Sequence, residues 1–408
     1  MFWIIVVAVV LRVVLSAITY HSDVVPLAFA GKVIASGHAL DFYDYLWNLP
    51  KGDRILQTYP RDLFNYPPMV YFGLGGMSIL TTSFLGSLVD RFIFETPRVL
   101  GTLGVYPLLF LLKLPYFFVD GWCAYFVWNL FTKRQNQVLA LALWLFNPVN
   151  LYATYMMGQF DLVPVMFVLW VLYRVKHYPQ NTGLWKEAVL LGLGASFKIY
   201  PLMLLVPLAT TQNNSWKRIK VIAVGLLTYL FTILPFLSSA GFRRTALVAG
   251  QTMKSFYATL SISGGEAIVI YLALLGSLYL VFWLKGVRRL ALWRAFFVVM
   301  LLFFTFTHYH PQWFLWLTPF LLVDLVMSKF KHYPLMIVSL VSMFGLVLFF
   351  DAGLSLGLFS AINPKLYNLP LLFAGRVDYN LARSFLHTFF VSASIYYCGD
   401  QLKHLLHV

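Results

Sequence analysis

The sequence predicts an all-α protein, a polytopic bundle of transmembrane helices. Of its 408 residues, 60% are hydrophobic and only 11% are charged, whereas a soluble domain carries about 25% charged residues. The mean hydropathy is +0.77, and apolar runs of about 18 residues or more recur along the chain. So few charges cannot cover the surface of a water-soluble fold, so the sequence predicts an integral, multi-pass membrane protein.

The charge pattern favours a membrane surface over nucleic acid as the partner of the basic residues. The net charge is +15, and most lysines and arginines lie in short segments between apolar runs, as cytoplasmic anchors do. Cys123 and Cys398 both lie in apolar runs, which indicates neither a disulfide framework nor a metal site. The first run contains Arg12 and has no basic start, so we interpret it as an uncleaved span.

About twelve spans of roughly 20 residues are predicted within a single domain that covers residues 1–408. An even number of spans places both termini on one side, together with the basic loops 217–220, 285–289 and 329–331. The predicted spans are 2–20, 67–90, 104–131, 138–156, 160–175, 187–208, 219–237, 264–284, 291–307, 312–328, 334–350 and 381–398.

The direction of the helices between about 130 and 210 stays open at this stage. Counting spans places Lys133-Arg134 and the segment 174–177 outside, whereas the positive-inside tendency places them inside. Gly158 and Pro201 interrupt apolar runs, and irregular backbone at membrane depth is tolerated only where protein or a cavity covers it. We therefore expect short, broken or re-entrant helices around 150–205.

Three outer segments, 21–66, 238–262 and 351–380, stand out because the other loops are short. Long ordered loops tend to carry function. In the first of them, residues 24–37 are predicted to form an amphipathic helix that lies along the membrane interface and ends at Gly37. Its apolar face would consist of Leu27, Ala30, Val33 and Ile34, with Lys32 on another face.

Asp23 is the first candidate for a catalytic group. It follows the first predicted span directly, so its carboxylate would be held at the membrane surface, where it could serve as a general base on an acceptor hydroxyl. The alternative is structural, because Ser22 or Asp23 could simply cap the next helix. The aromatic residues that follow suit the membrane interface and also suit stacking against a sugar.

An ordered set of motifs accompanies Asp23, and each motif is weak alone. They are the helix ending at Gly37, Asn65-Tyr66-Pro67-Pro68, Leu114-Pro115 with Asp120, Leu145-Phe146-Asn147-Pro148, Gly158-Gln159-Phe160-Asp161, Phe197-Lys198-Ile199-Tyr200-Pro201, and His310 to Trp316 with Pro319. Together they resemble the GT-C superfamily of glycosyltransferases, which use polyprenyl- or dolichyl-phosphate sugars. The late segments are similar to those of GPI mannosyltransferase I. The first-loop motif carries one acid, Asp23, where that enzyme has two, and in this the chain resembles the bacterial polyprenyl-phosphate-mannose-dependent enzymes.

The resemblance implies a GT-C-like fold and an inverting displacement at the anomeric carbon, with Asp23 as the base. The donor phosphate and lipid would be bound by His310, His308, Arg243, Arg244, Lys254 and Lys198. The substrate would be contacted by His21, Asp41, Asp44, Tyr66, Gln159, Asp161, Tyr200, Gln312 and Trp313. These residues could instead have structural roles: the histidines could lie at the membrane interface, the arginines could be solvated, and Lys198 could form an ion pair with Asp161 or Asp120.

The same resemblance gives mannose as the expected sugar and a lipid or glycan as the expected acceptor. We predict no metal-ligating residues and no required cofactor; dependence on a divalent metal stays open, as do the exact acceptor and the oligomeric state. Neither nucleic acid nor an obligate protein partner is expected. The expected location is a bacterial cytoplasmic membrane with the site facing the exterior, or the ER membrane in a eukaryote.

Other classes of function fit less well. A transporter or lipid scramblase would also need buried polar groups and broken helices, but transporters usually show repeats, and the sequence has no convincing internal repeat. An acyl- or phosphotransferase would predict a dominant buried histidine or a dense acidic cluster. A non-catalytic scaffold would be indifferent to the loss of Asp23.

Overall fold

The computed structural model describes residues 1–179, 183–247 and 253–406, and it confirms an all-α polytopic membrane bundle. The longer α-helices are α1 (Phe2–Ile18), α2 (Val24–Ala35), α3 (Gly76–Leu85), α4 (Ser87–Phe94), α5 (Val105–Lys113), α6 (Pro115–Asn129), α7 (Arg134–Leu145), α8 (Leu162–His177), α9 (Trp185–Ala195), α10 (Ser215–Ile233), α11 (Ile270–Lys285), α12 (Leu292–Phe306), α13 (Thr318–Met327), α14 (Tyr333–Leu348) and α15 (Tyr379–Leu406).

Short elements join these helices. Shorter α-helices are Phe42–Trp47, Arg54–Thr58, Pro68–Val70, Thr96–Val99, Pro148–Asn150, Leu205–Ala209 and Ala240–Phe242. The 3-10 helices are Tyr200–Leu204, Leu234–Phe236, Lys254–Phe256, Arg289–Ala291, Pro311–Trp316, Ala352–Leu354, Leu356–Ala361 and Pro364–Leu366. The π-helices are Tyr71–Gly75, Leu151–Met156 and Arg243–Leu247. Strands β1 (Thr259–Ser261) and β2 (Ala267–Val269) form an antiparallel hairpin, with Leu260 opposite Ile268.

Among the described residues, four helical segments are long and apolar enough to cross a membrane, and the pair α5 and α6 makes a fifth if it is one span bent by 42°. The four are Pro68–Leu85, Arg134–Met156, Ser215–Phe236 and Arg289–Phe306. Among the other predicted spans, the shorter apolar helices include α1, α11, α13 and α14, whereas α15 has 28 residues.

Hydrogen bonds bring the basic loops together at one end of the bundle, which we call the basic end. Lys176 donates to the carbonyl of Leu130 at 2.7 Å, and Arg289 donates to that of Pro179 at 2.7 Å. Arg288 reaches the carbonyl of His404, near the chain's other terminus, at 3.3 Å. The segments 133–134 and 174–177 therefore lie with the loop 285–289, as the positive-inside tendency favours and simple counting does not.

The predicted span 187–208 is wrong as a single crossing, because the chain turns back within it. Helix α9 ends at Ala195, and a 3-10 helix and a short α-helix follow. A Cβ on Gly192 would lie 2.5 Å from the carbonyl oxygen of Gly225, and a Cβ on Gly225 would lie 2.4 Å from the side chain of Leu205. Both halves therefore pack against the same level of α10, which confirms the expected broken helices.

Two other predicted spans need correction. The segment 67–90 breaks at Gly86, where φ is +39°, and α4 then returns to the first outer segment, where Asp90 pairs with Lys32. The span 264–284 begins at Ile270, because the residues before it form the β-hairpin. Regular pairing of the strand backbone satisfies the polar groups of a segment that a hydropathy pattern assigns to a helix.

The prediction of an amphipathic helix along the membrane interface is also wrong. Helix α2 is buried on nearly all sides, including Val25 and Phe29 outside the predicted apolar face. A Cβ on Gly31 would lie 2.0 Å from the hydroxyl of Ser78, so the missing side chain allows α3 to cover the helix closely. Gly37 adopts φ +95°, which confirms the predicted end of the helix.

Candidate functional site

Lys113 fixes the backbone beneath the candidate site. It is fully buried, and its ammonium donates to the carbonyl oxygens of Thr19 at 2.7 Å and Tyr155 at 2.9 Å. These carbonyls lie at the C-terminal ends of α1 and of the π-helix Leu151–Met156, where a cation is favoured. A single side chain thus ties together the two elements that precede Asp23 and Gln159.

Asp23 begins α2 but does not cap it, because its side chain makes no hydrogen bond to the helix backbone. The carboxylate instead accepts a hydrogen bond from the side-chain amide of Gln159. His21 Nδ1 accepts the backbone N–H of Asp23 at 3.2 Å and lies 3.5 Å from its carboxylate. The carboxylate remains 32% exposed, so it is oriented by protein and still open to a ligand.

Gly158 allows the turn that carries Gln159 to approach Asp23. Its φ is +73°, and a Cβ there would lie 2.4 Å from Val24 and 3.2 Å from Lys113. Any other residue would be strained here, because it would have to adopt the left-handed backbone and fit its Cβ into this close approach. The carbonyl of Gly158 accepts a hydrogen bond from Tyr116 at 2.8 Å, which holds the turn in place.

Lys198 and Asp161 form a buried pair next to Asp23. Lys198 Nζ lies 3.6 Å from Asp161 Oδ1, and the side chain of Asp161 is fully buried. Trp316 donates to the same oxygen at 2.7 Å, whereas Oδ2 has no hydrogen-bond partner. Of the two partners expected for Lys198, the structure selects Asp161; Asp120 pairs with Arg12 at 2.8 Å.

Aromatic rings surround this pair. Lys198 Nζ lies 5.0 Å from the ring centre of Phe160, 5.2 Å from that of Trp313 and 5.7 Å from that of Tyr66. Trp316 stacks on both Trp313 and Tyr200, with ring centres 5.0 and 4.4 Å apart. Such rings attract a cation and also offer flat apolar faces to a sugar.

Polar atoms without partners are concentrated among these rings. The Tyr200 hydroxyl, Gln312 Oε1 and Asp161 Oδ2 are buried, and none of the three makes a hydrogen bond. Burying such groups costs free energy. Burial raises the pKa of the Tyr66 phenol, and the nearby carboxylates of Asp23 and Asp161 raise it further, so this phenol remains protonated.

His308 and His310 follow α12, with ring centres 5.9 Å apart. Burial lowers the pKa of His310 to about 4, and the charges of Lys254 and Lys198 contribute. Burial also lowers the pKa of His308, helped by Lys254 and Arg383. Both imidazoles are therefore neutral at pH 7. His310 lies against Trp313, at 5.4 Å between ring centres, and so lies beside the aromatic rings that surround Lys198.

A cavity of about 750 Å³ opens on the His308 side, and we call it the basic cavity. Its described lining includes Lys254, His308, Arg383 and His387 but no aspartate or glutamate. Thr307, Ser384 and Thr388 also line it, and their hydroxyls donate to helix carbonyls at 2.7 Å. Cations without a carboxylate partner are suited to a phosphate group.

Four predicted residues make their described contacts elsewhere. Asp41 pairs with His38 at 2.9 Å, and Asp44 accepts the backbone N–H of Gly241 at 3.0 Å. The side chain of Arg243 donates to two carbonyls of its own loop, and that of Arg244 lies over Trp47. They stabilise the first and second outer segments, and their proposed roles in binding stay predictions.

The sequence analysis missed several residues of the site. Lys113 is a charge inside an apolar run, the same signal that identified Lys198. Trp316 lies in a motif that was recognised without a role for that residue. Arg383 and His387 lie one helical turn apart on α15, and no local pattern in the sequence connects them with His308.

A separate cluster lies near the basic end, where single ligand atoms of Asp324, His332 and Asp400 come within 4.8 Å of one another. His332 Nδ1 lies 2.7 Å from Asp324 Oδ2, and Gln401 donates to Asp324 Oδ1 at 2.9 Å. These bonds join α13, α14 and α15 and account for the buried oxygens of Asp324, so we interpret the cluster as a structural link.

The comparisons with known proteins give a weak structural likeness. No protein-family model matches the chain, and no curated protein matches it either. The fold is similar to the crystal structure of ArnT from Cupriavidus metallidurans bound to undecaprenyl phosphate, with 12% identity, a TM-score of 0.45, and coverage of 99% of this chain and 71% of that one. An identity and a TM-score this low do not establish a shared activity.

Proposed function

We propose that this protein is an inverting membrane glycosyltransferase of the GT-C type, which transfers a hexose from a polyprenyl-phosphate donor to an acceptor hydroxyl. One observation carries the proposal. A carboxylate that is oriented by protein and still 32% exposed, Asp23, lies beside aromatic rings with unpartnered polar atoms, and the segment from His308 to His310 connects these rings to the basic cavity. The three parts correspond to a base, a sugar site and a phosphate site.

The reaction follows from this arrangement. The carboxylate of Asp23 takes the proton of the acceptor hydroxyl, and the acceptor oxygen forms a bond to the anomeric carbon from one face. The bond between that carbon and the phosphate oxygen breaks on the other face, and the phosphate leaves with the electron pair. Lys254 and Arg383 would stabilise its charge, which is the task of fixed cations in group transfer.

The sugar would lie beside Tyr66 and Trp313, since Trp316 is already stacked on Trp313 and Tyr200. Aromatic faces stack on the apolar side of a hexose ring, and the free oxygens of Asp161 and Gln312, with the Tyr200 hydroxyl, would bond to its hydroxyls. Mannose is the preferred sugar on the strength of the motifs alone. The outer face of the membrane is the preferred side, because Asp23 follows the far end of α1 from Met1, which contacts Arg134 at the basic end.

The test is transfer of radiolabelled mannose from polyprenyl-phosphate-mannose into native membrane acceptors by the purified full chain. We expect Asp23→Asn to lower the rate by roughly 10²-fold or more, the scale for the loss of a general base. Asp62→Asn is the control, because Asp62 is an exposed acid of the same outer segment.

Equal rates for wild type and Asp23→Asn would remove Asp23 from the chemistry. An inactive wild type with mannose, glucose and galactose donors alike would contradict the glycosyltransferase proposal itself. Retained lipid movement across vesicles in that case would favour the transporter or scramblase class.

A further inference from the structure

We propose that the acceptor is itself a membrane lipid, whose hydrocarbon chain lies in a groove between α1 and α14. The proposal rests on the proposed function and names its second substrate. The groove has a volume of about 740 Å³, within the range of sites that bind small ligands. Its walls are formed by apolar side chains that include Leu11, Leu15, Leu151, Met156, Phe344 and Leu348.

The groove has the chemistry of a site for a hydrocarbon chain. No charged residue is among the described residues that line it. The Tyr152 hydroxyl already donates to the carbonyl of Leu354 at 2.8 Å, and that of Ser355 donates to the carbonyl of Ala352 at 3.3 Å. A sugar or peptide would therefore find no free polar partner there, whereas a lipid chain enters from the bilayer without losing hydrogen bonds.

The groove leads to the base. Leu15 and Met156 line it, and the carbonyls of both accept hydrogen bonds from the hydroxyl of Thr19, at 2.6 and 3.0 Å. Leu358 also lines it and accepts the backbone N–H of Tyr20 at 2.7 Å. The groove wall is thus bonded directly to the residues between α1 and Asp23, so a headgroup at this end of the groove would lie next to the segment that carries the carboxylate.

The opposite face of α14 belongs to the donor. Leu346 and Phe350 line the basic cavity, whereas Val341, Gly345 and Leu348 line the groove. In an in-line displacement, the attacking oxygen and the leaving phosphate occupy opposite faces of the anomeric carbon. A donor that places its phosphate among the cations brings its own chain to the basic cavity. The uncharged groove therefore falls to the acceptor.

Groove-filling variants provide the first part of the test. Val341→Trp places a bulky ring in the groove from an exposed position, 61% accessible. Ile337→Trp is the matched control: Ile337 lies one turn earlier on the same helix, is 52% exposed and does not line the groove. Both variants are first checked for the elution volume of the wild type in size-exclusion chromatography.

The assay uses polyprenyl-phosphate-[¹⁴C]mannose as donor and native membranes as the source of acceptor. After mild acid hydrolysis of the remaining donor, we expect the label in a chloroform-soluble product. Val341→Trp should lower its rate of formation roughly tenfold or more, since displacing a few methylene groups from an apolar site suffices for this. Hydrolysis of the donor by water should be unchanged, and Ile337→Trp should behave as wild type.

Label that stays in water-soluble glycan or precipitated protein would overturn the lipid acceptor while leaving the glycosyltransferase intact. Equal chloroform-soluble product from Val341→Trp and Ile337→Trp would overturn the groove as its site. Absence of any product and of donor hydrolysis in the wild type would instead strike the proposed function, so the two failures are distinguishable.

Discussion

Two buried ion pairs in this bundle have the same chemistry and opposite environments. Asp120 pairs with Arg12 at 2.8 Å and also accepts hydrogen bonds from Trp144, Asn150 and Tyr155, at 2.7 to 3.0 Å. Asp161 accepts one hydrogen bond, from Trp316, and lies 3.6 Å from Lys198, while its second oxygen has no partner.

The difference between the two carboxylates would separate a structural pair from one that serves the proposed function. Both oxygens of Asp120 have partners, which offsets the cost of desolvating this carboxylate and fixes the packing of α1 against α6 and α7, whereas Arg12 Nη2 has none. At Asp161 the unpartnered oxygen leaves hydrogen-bonding capacity for a ligand beside the aromatic rings. The variants below test this contrast, from the largest expected effect to the smallest.

The largest effect on stability is expected at the closed pair. Asp120→Leu leaves Arg12 buried without a counter-charge, which costs about 3–5 kcal/mol when a buried pair is broken. The fully folded fraction in a detergent thermal-shift assay should fall sharply. The double variant Arg12→Leu, Asp120→Leu should recover much of this loss, because it removes both charges; failure to recover would show that the other hydrogen bonds of Asp120 dominate.

At the open pair, activity is expected to change more than stability. Lys198→Met keeps the length of the side chain but removes the charge that faces Asp161 and the aromatic rings. We expect transfer to fall roughly 10- to 100-fold, as for the loss of a charged contact to substrate. The thermal midpoint should fall less than in Asp120→Leu, because the Lys198–Asp161 pair is longer, at 3.6 Å, and Lys198 is partly exposed. Full turnover and unchanged donor affinity in Lys198→Met would make this pair structural after all.

A smaller effect on activity is expected at Gly158, in the turn that carries Gln159. Gly158→Ala forces a Cβ against Val24 and a side chain into a left-handed backbone, which shifts Gln159 away from Asp23. We expect about a tenfold loss of transfer, in line with small displacements of a catalytic group. Gly121→Ala is the control, because a Cβ at Gly121 meets no atom within 4 Å; equal activity of both variants would contradict the positioning role of the turn.

The smallest effect concerns pH. Burial lowers the pKa of His310 to about 4 from its usual 6.5, so the unfolded chain binds more protons than the folded one between these values. Stability from this residue is therefore present above about pH 6.5 and is lost as the pH falls toward 4. His310→Gln should flatten that part of the profile of thermal midpoint against pH, and an unchanged slope would contradict the burial of a neutral imidazole.

Much of this protein was predictable from sequence because the signals are local. Composition and the length of the apolar runs determined an all-α membrane bundle, since a chain that crosses a bilayer must satisfy its backbone groups internally and runs of about 20 residues do so as helices. Single residues likewise predicted three local features: the position of Asp23 at the end of the first span, the end of α2 at Gly37 and the interruption at Gly158. Lys198 was identified because a charge in an apolar run is costly at membrane depth and must have a partner or a function there.

Tertiary structure decided what depends on distant segments. Burial of α2 follows from the close approach of α3 at Gly31, which hydropathy does not report. The return of 187–208 depends on packing against Gly225, and the choice of Asp161 over Asp120 depends on which acid the fold brings to Lys198. The basic cavity is lined by Lys254, His308 and Arg383, which lie far apart in the chain, because only the packing of α12, α14, α15 and the 3-10 helix Lys254–Phe256 places these side chains around one space.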